Sequence, residues 1–543
     1  MINQTIDKKN ILFIVMPYLL SKPSMKSSKL RSFKAFPYGV LSIATYLKKF
    51  ASDKATLQVL DCNLSNTRDY LSVIQQKISE CKPDIVGLSM MFDNSYNYLK
   101  ISATEVKKIK SETIVVLGGA AATASYKTIL EEQDAIDGIC FSEGELPFLR
   151  LVNSNDMKSF LDTDVSWITR KSLQSGKVPQ PSLIENLDDL VSIDYGLVDV
   201  SGYGMQEAFS PFAGVREPGK QFFLITSRGC PFKCVFCMRS SDNDKSMRYS
   251  SIEKIVEHVE FLVAKYGMNI LTIYDDQLLF NKERAKKLFR ELARFNLRIE
   301  CPNGLSVAFI DNEMAMLMRK AGMDTVYLAI ESGSPYVLNK IIHKPLTVEK
   351  VKPVVESLRK YDFWIQGYFV IGLPGEKDEH RDETVRFIKD VELDWSGFSL
   401  ATPSRGSKLY RICIENGYIK KDIGIGEMDT TKYIINTPDY SPEYVTRQSY
   451  LMNLDVNFVN NYRMRQGDYK IAADCFRDVL ARYPEHAFAY YYLAQTLYAL
   501  KEFEQAEQAM CKVYEITKKD TTWKEYFDFF KIKLEDIQNT QCL

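Results

Sequence analysis

The chain has no apolar run long enough to cross a bilayer, no excess of either charge, and no histidine before His258. The N-terminal apolar stretch from Ile11 to Leu20 is about half the length a membrane helix needs. It is interrupted by Pro17 and follows the charged segment DKKN, which is not a signal-peptide pattern. No membrane span is expected, and the chain reads as cytoplasmic. Lys plus Arg equals Asp plus Glu at 70 each, so nothing advertises nucleic acid or an anionic membrane as a partner. Eleven cysteines, an odd number dispersed over 543 residues without a secretory signal, argue against a disulfide framework. They point to reduced thiols among which one local group has a special task.

What is present is enough for several cores. A chain of 543 residues, 45% apolar and 12% aromatic, is expected to divide into about two to four domains. Between residues 8 and 155 short apolar or β-branched runs alternate with periodic segments: NILFIVMP, LQVLDCN, DIVGLSMM, TIVVLGGA and IDGICFSEGE. These read as buried parallel strands separated by helices, hence a doubly wound, Rossmann-like sheet. Ligands of such sheets sit at the strand ends, where this chain carries Asp61, the segment GLSMMFDN, Gly118 and Gly119, and the turn SEGE that includes Glu143 and Gly144. Gly-Gly after a strand also makes a tight turn before a helix without any ligand, and both readings stand.

Residues 156–215 lack periodicity, contain Pro179, Pro181 and Pro211, with Pro218 just beyond, and read as a linker. A second strand-helix alternation follows over 216–440, including FFLITS, NILTIYDD, TVYLAIESGS and GYFVIGLPGE. It is expected to form a partial β/α barrel with its chemistry at the carboxyl ends of the strands. Over 441–543 the pattern becomes helical with a repeat of about 34 residues. Gly467, Tyr469, Ala472 and Phe476 are echoed by Lys501, Phe503, Ala506 and Met510. The tail resembles the tetratricopeptide repeat; a plain helical cap on the barrel is the other reading.

SRGCPFKCVFCMRS places Cys230, Cys234 and Cys237 within eight positions, just after the first barrel strand. Closed zinc sites take four ligands, and no histidine is near. A 4Fe-4S cluster can be held by three thiolates, leaving one iron open to bind another molecule. The spacing Cys-x3-Cys-x2-Cys, with Phe236 before the last cysteine, resembles the signature of the radical S-adenosylmethionine (SAM) superfamily. YDDQLLFNKER, PNGL, AIESGS and GYFVIGLPGE then occur in the order of its branch with an N-terminal cobalamin domain.

The resemblance covers roughly residues 10–410. It implies a 4Fe-4S cluster on the three cysteines, SAM on the open iron, and reductive cleavage of SAM to methionine and a 5'-deoxyadenosyl radical. It also implies that Glu331 and Ser332 hold SAM polar groups and that the backbone at Ile371 and Gly372 lines the adenine. Asp275 and Asp276 read as substrate contacts or strand-end caps, and Glu331 alternatively as a carboxylate bound to its own loop. Cys301 reads as a thiol near the substrate or as a buried inert cysteine. Cys413, Cys475, Cys511 and Cys542 read as unremarkable.

FPYGVLSIATYL, VLDCN, GLSMMFDN, LGGAAAT and DGICFSEGE also follow the order of the cobalamin domain of this branch. Better-known cobalamin domains supply a histidine as lower ligand; here none exists in the first 257 residues. In this branch the lower face is often open or capped by a non-coordinating side chain, and Phe92 is near the place such a cap comes from. LGGAAAT departs from the usual pattern, which puts cobalamin binding in question. The expected activity is radical methylation of an unactivated carbon, one SAM methylating cobalt and a second yielding the radical. Ring formation or rearrangement with the same cofactors is the alternative, and a non-catalytic cofactor-binding scaffold with a peptide-binding tail is the rival of another class. The expected partners are a small-molecule or peptide substrate, an electron donor such as flavodoxin or ferredoxin, and a protein bound by the helical tail.

Overall fold

Strands β1 (Lys9–Val15), β2 (Ala55–Asp61), β3 (Ile85–Ser89), β4 (Ile114–Gly118) and β5 (Gly138–Cys140) are all parallel, and β6 (Trp167–Ile168) pairs antiparallel to β5. Continuous burial of five residues in β1 and four in β3 reflects helices on both faces, which leave no solvated side on which polar residues could alternate. The order β2-β1-β3-β4-β5-β6 reverses direction between β1 and β3. That reversal opens a crevice at their carboxyl ends, beside Met90, Met91 and Phe92. The computed structural model describes residues 8–17, 35–64, 69–203, 219–238, 246–428 and 432–534. Pro211, Pro218 and Cys542 lie outside them.

The stretch expected as a linker carries structure of its own. β6 extends the first sheet, the helix Met157–Thr163 packs beside it, and short 3-10 turns follow from Leu187 to Gly202. A two-residue strand leaves too little pattern to be recognised in a sequence.

The second unit contains β7 (Gln221–Leu224), the short antiparallel pair β8 (Ser227–Arg228) and β9 (Arg248–Tyr249), then β10 (Ile270–Ile273), β11 (Arg298–Glu300), β12 (Thr325–Glu331), β13 (Trp364–Ile371) and β14 (Trp395–Leu400). Two parallel three-stranded sheets, β11-β10-β7 and β12-β13-β14, are joined where Leu305 pairs with Leu328. The result is an open six-stranded partial barrel with edges at β7 and β14, as the fold expectation had it.

Each edge is covered. At β7, the Tyr195 hydroxyl donates to the Phe223 carbonyl at 2.5 Å and the Ile225 amide donates to the Tyr38 hydroxyl at 3.2 Å. At β14, the Asn457 side-chain amide takes the place of a neighbouring strand, accepting from the Ser396 amide at 2.9 Å and donating to the Ser396 carbonyl at 2.8 Å. Edge groups satisfied in this way cannot template another chain.

Asn457 belongs to the tail, whose helices Tyr469–Arg482, Ala487–Ala499, Phe503–Lys519 and Thr522–Phe529 form two antiparallel pairs. Gly467 and Lys501, matched positions of the repeat, both take positive φ, at 79° and 65°, just before the first helix of each pair. Trp395 joins the buried cluster of the tail, so the repeat is fused to the barrel rather than suspended from it. Among the described residues no helix is long and apolar enough to cross a membrane. Cys511 is disulfide-bonded, unlike the expectation of reduced thiols throughout.

Candidate active site

The three cysteines hang in the loop between β8 and β9, at the carboxyl end of β7. Asp275, which follows β10 and is 4% exposed, anchors the start of that loop. It accepts from the Thr226 amide, the Thr226 hydroxyl and the Ser227 hydroxyl, each at 2.6 Å. Arg284 donates to the carbonyls of Thr226 and Ser250, both at 2.9 Å, and lies over the Tyr249 ring. Burial pushes the Asp275 carboxyl up while these donors pull it down. Asp275 is therefore a strand-end anchor, and Asp276 is exposed.

Gly229 leads into the loop at φ 114°, where a Cβ would stand 2.1 Å from the Ser246 carbonyl oxygen. Gly229→Ala is expected to cost about 1–3 kcal/mol in backbone strain alone. The measured outcome is a lowered melting temperature together with reduced iron incorporation.

The middle of the loop is fixed from two sides: the Val235 amide donates to the Ile342 carbonyl at 3.0 Å, and the Leu409 amide donates to the Val235 carbonyl at 2.9 Å. The Cys237 amide donates to the Cys234 carbonyl at 3.0 Å. Cys230 and Cys237 are near enough to raise the Cys234 thiol electrostatically. Yet no three of the described His, Cys, Asp and Glu residues gather closely enough to chelate a single metal ion. Three soft thiol donors on one loop fit an iron-sulfur cluster, which three thiolates can hold, better than a closed four-ligand zinc site. Phe236 packs half-buried against the barrel core beside them.

Lys344 is the nearby residue that motif reasoning missed. Its ammonium donates to Glu331 at 2.9 Å, with the two side chains only 7% and 12% exposed, and it acts on Cys234 as an opposing positive charge. Glu331 sits at φ 73° beside a register shift between β12 and β13, and its carboxylate is held by Lys344, 13 residues on in the connection that leaves β12.

The structure places four other expected residues. Ser332 is fully buried and turned onto the helix Asp378–Val391, with its hydroxyl 3.2 Å from that of Thr384 and accepting from the Ser334 amide at 3.1 Å. The positive φ of Glu331 reverses the chain there, so the Ser332 side chain does not face the barrel mouth. The Ile371 carbonyl accepts from the Ala401 amide at 2.8 Å. Both polar backbone groups of Gly372 are engaged, its amide by Glu376 at 2.6 Å and its carbonyl by the Tyr433 hydroxyl at 2.5 Å. Cys301 is 3% exposed, and burial raises its thiol, which makes it inert.

Glu376 itself has a testable property. It is 2% exposed, one carboxylate oxygen has no partner, and burial raises its pKa from 4.5 to about 7, against the pull of the Gly372 amide and Arg381. A folded-state value above the ordinary one means the stability it supports is complete below about pH 4.5 and is lost as pH rises through about 7. Glu376→Gln is expected to keep the Gly372 contact and to flatten this part of the stability profile, measured by urea melts between pH 5 and 8.

On the first sheet, Asp61 is 8% exposed and accepts from the Tyr203 hydroxyl at 2.8 Å and the Asn63 side chain at 2.8 Å. Gly118 has room to spare, whereas Gly119, at φ 112°, would drive a Cβ to 2.4 Å from the Met90 carbonyl oxygen. The pair thus makes the tight turn into the helix Ala120–Glu132. The Glu143 side chain is bound by Arg228 and Arg248, and a Cβ at Gly144 would meet Ile43 at 2.6 Å, so these residues join elements rather than face an open crevice. Strand-end position alone could not reveal that arginines from the other sheet would claim the turn. What the crevice does present is Met91 at 49% and Phe92 at 51% exposure. Exposed apolar side chains with no imidazole nearby fit a flat ligand that stacks rather than ligates, as cobalamin without a histidine ligand requires.

Comparisons with known proteins agree with this geometry. The chain matches family models for the B12 binding domain over residues 31–152, the radical SAM superfamily over 224–388 and the tetratricopeptide repeat over 461–520. It is similar to an uncharacterized methyltransferase of Pyrococcus horikoshii, with 30% identity over 69% of this chain and 78% of that one. It is also similar to the cytidylyl-2-hydroxyethylphosphonate methyltransferase of Streptomyces wedmorensis, with 26% identity over 78% and 86%. Among solved structures, the cobalamin-dependent SAM radical enzyme OxsB, with aqua-cobalamin and SAM bound, shares the fold over 97% of this chain and 82% of that one, with a TM-score of 0.65 at 13% identity. Thiol loop, crevice and relatives converge, and this chain belongs to the cobalamin-dependent radical SAM methyltransferase family.

Proposed function

We propose that this protein methylates an unactivated carbon of a small molecule held between the first sheet and the barrel mouth. The observation that carries the reading is the attachment of the hairpin that bears the three-thiol loop to the turn that follows β5, by Arg228 and Arg248 on Glu143 and Arg228 on Glu145. When bound, the cluster with SAM supplies a carbon radical and cobalamin supplies a methyl group, chemistry that an inert carbon demands because it offers no acidic proton or lone pair.

In this reading Cys230, Cys234 and Cys237 hold the cluster as thiolates, and Phe236 walls off one side of the loop. Lys344 balances thiolate charge and orients Glu331 toward SAM polar groups. Ile371 and Gly372, locked by Glu376 and Tyr433, shape the wall on the adenine side through their fixed backbone rather than through free polar groups. Met91 and Phe92 would pack against cobalamin, and the Gly118-Gly119 turn and Asp61 keep the crevice edge in place. The working division is 8–155 for cobalamin, 156–215 as connector, 216–440 for radical chemistry and 441–543 as tail. A cytoplasmic setting, with flavodoxin or ferredoxin as electron source, suits a chain with reduced cluster cysteines. The tail covers the β14 edge and leaves Tyr498 and Phe503, 67% and 50% exposed, as the surface for a protein partner.

Protein reconstituted anaerobically with iron, sulfide and hydroxocobalamin is expected to retain both iron and cobalt through gel filtration. With dithionite, SAM and substrate it is expected to release S-adenosylhomocysteine and 5'-deoxyadenosine in equal amounts. 5'-Deoxyadenosine without S-adenosylhomocysteine would move the assignment to ring formation or rearrangement.

A further inference from the structure

Arg228 and Arg248 stand directly opposite one another in the β8-β9 pair, an arrangement of like charges that destabilises a two-stranded ladder unless anions intervene. Both anions come from the turn after β5. Arg228 reaches Glu143 at 3.0 Å and Glu145 at 2.7 Å, while Arg248 binds both oxygens of Glu143 and donates to the Ile184 carbonyl at 2.6 Å. Ser42, on the helix Tyr38–Phe50, donates to Glu145 at 2.6 Å. The side chains of the four charged residues are between 4% and 18% exposed. Two positive and two negative charges are thus buried in a closed set, and removing one would strand another.

The placement of this set is more specific than adhesion requires. Arg228 lies two residues before Cys230, on the strand that carries the cluster loop, and Gly144 between the two glutamates is pressed against Ile43. Away from this set, the Ile225 amide donates to the Tyr38 hydroxyl and the Tyr195 hydroxyl donates to the Phe223 carbonyl, neutral contacts that would keep the first unit and its connector on the barrel without the ion pairs. We infer that Arg228 and Arg248, gripping Glu143 and Glu145, are positioning residues that set the separation of the cluster from the cobalamin site. The inference rests on the two-cofactor reading above. It assigns to these side chains a role in coupling SAM cleavage to methyl transfer and none in either bond-making step.

The test uses full-length protein loaded with both cofactors, comparing wild type with Arg228→Gln, Arg228→Lys and Glu145→Gln. Magnetic coupling between cob(II)alamin and the reduced cluster, read by electron paramagnetic resonance, is expected to be sharp in wild type and broadened in Arg228→Gln at unchanged iron and cobalt content. Arg228→Lys should recover part of it. In the same samples 5'-deoxyadenosine formation should continue while S-adenosylhomocysteine formed per 5'-deoxyadenosine falls about tenfold, equivalent to about 1.4 kcal/mol. In apo-protein, amide exchange at residues 229–238 should speed up in Arg228→Gln while that around Tyr195 stays unchanged. If Arg228→Gln does not fold, Glu145→Gln, which is isosteric and keeps a partner for Ser42, decides. Unaltered coupling, product ratio and amide exchange in a folded variant would overturn the inference. Wild type that binds no iron or cobalt would instead overturn the two-cofactor reading beneath it.

Discussion

Cys234→Ala is expected to reduce 5'-deoxyadenosine formation to background and to remove most of the bound iron. Cys234 is the middle cysteine of the loop, and its neighbour Val235 is fixed from both sides by backbone hydrogen bonds. Burial pushes the Cys234 thiol up to about 11, with Lys344 pulling the other way. The thiolate that a cluster needs is thus costly at this site without iron and is stabilised by ligation, which couples cluster assembly to proton release. Cluster incorporation into wild type should accordingly improve as pH rises from 6 to 9, whereas in Cys234→Ala it should stay low throughout. Cys301→Ala is the matched control. That thiol is buried behind the site and its loss should leave iron content unchanged; iron retained in Cys234→Ala and lost in Cys301→Ala would reverse the assignment.

The second large effect is structural. Asp394 has a fully buried carboxylate that accepts from Arg359 at 2.5 Å, from Arg463 at 2.5 Å and from the Ile365 amide at 2.6 Å. One carboxylate therefore ties a barrel helix, the start of β13 and the tail together. Asp394→Ala takes the carboxylate from the Arg359 guanidinium and leaves Arg463 with Asp468 alone, in a poorly solvated place, and is expected to cost about 3–5 kcal/mol. In urea the unfolding of tail and barrel should separate into two steps. Limited proteolysis should begin cutting between residues 455 and 468. Asp394→Asn, which keeps the Ile365 contact, should lose less. An unchanged single transition in Asp394→Ala would show that the hydrophobic cluster around Trp395, Phe458 and Phe476 suffices to hold the tail.

These two sites mark the boundary of what the sequence discloses. The cluster loop is legible because three thiols at fixed local spacing have one coherent use, and because Gly229 and Phe236 fall where that use requires them. The strands of the first sheet are legible because double burial writes itself as unbroken apolar runs. The tail is legible because its repeat returns the same residue types to the same helical positions, down to the positive φ at Gly467 and Lys501. What is not legible is pairing across long stretches of chain. Arg228 and Glu145 are 83 residues apart, and Asp61 and Tyr203 are 142 apart. Nothing local distinguishes a strand-end glutamate that faces a cofactor from one that faces an arginine of the next unit. For the same reason Ser332 and Gly372 carry the right motif yet turn their polar groups inward, since a motif specifies a turn and the surroundings decide which atoms remain exposed. Lys344 carries no local signal, because a lysine gains meaning only beside Glu331 and Cys234.

The central claim is that this chain moves a methyl group from SAM to carbon with both cofactors in place. Anaerobic reaction of the doubly loaded protein with SAM carrying a trideuterated methyl group, against extracts of small molecules, tests it by mass spectrometry. The account predicts one acceptor gaining an intact trideuterated methyl, with 5'-deoxyadenosine formed alongside. 5'-Deoxyadenosine formed while every acceptor stays free of label, or no 5'-deoxyadenosine from protein with an intact cluster, would contradict it.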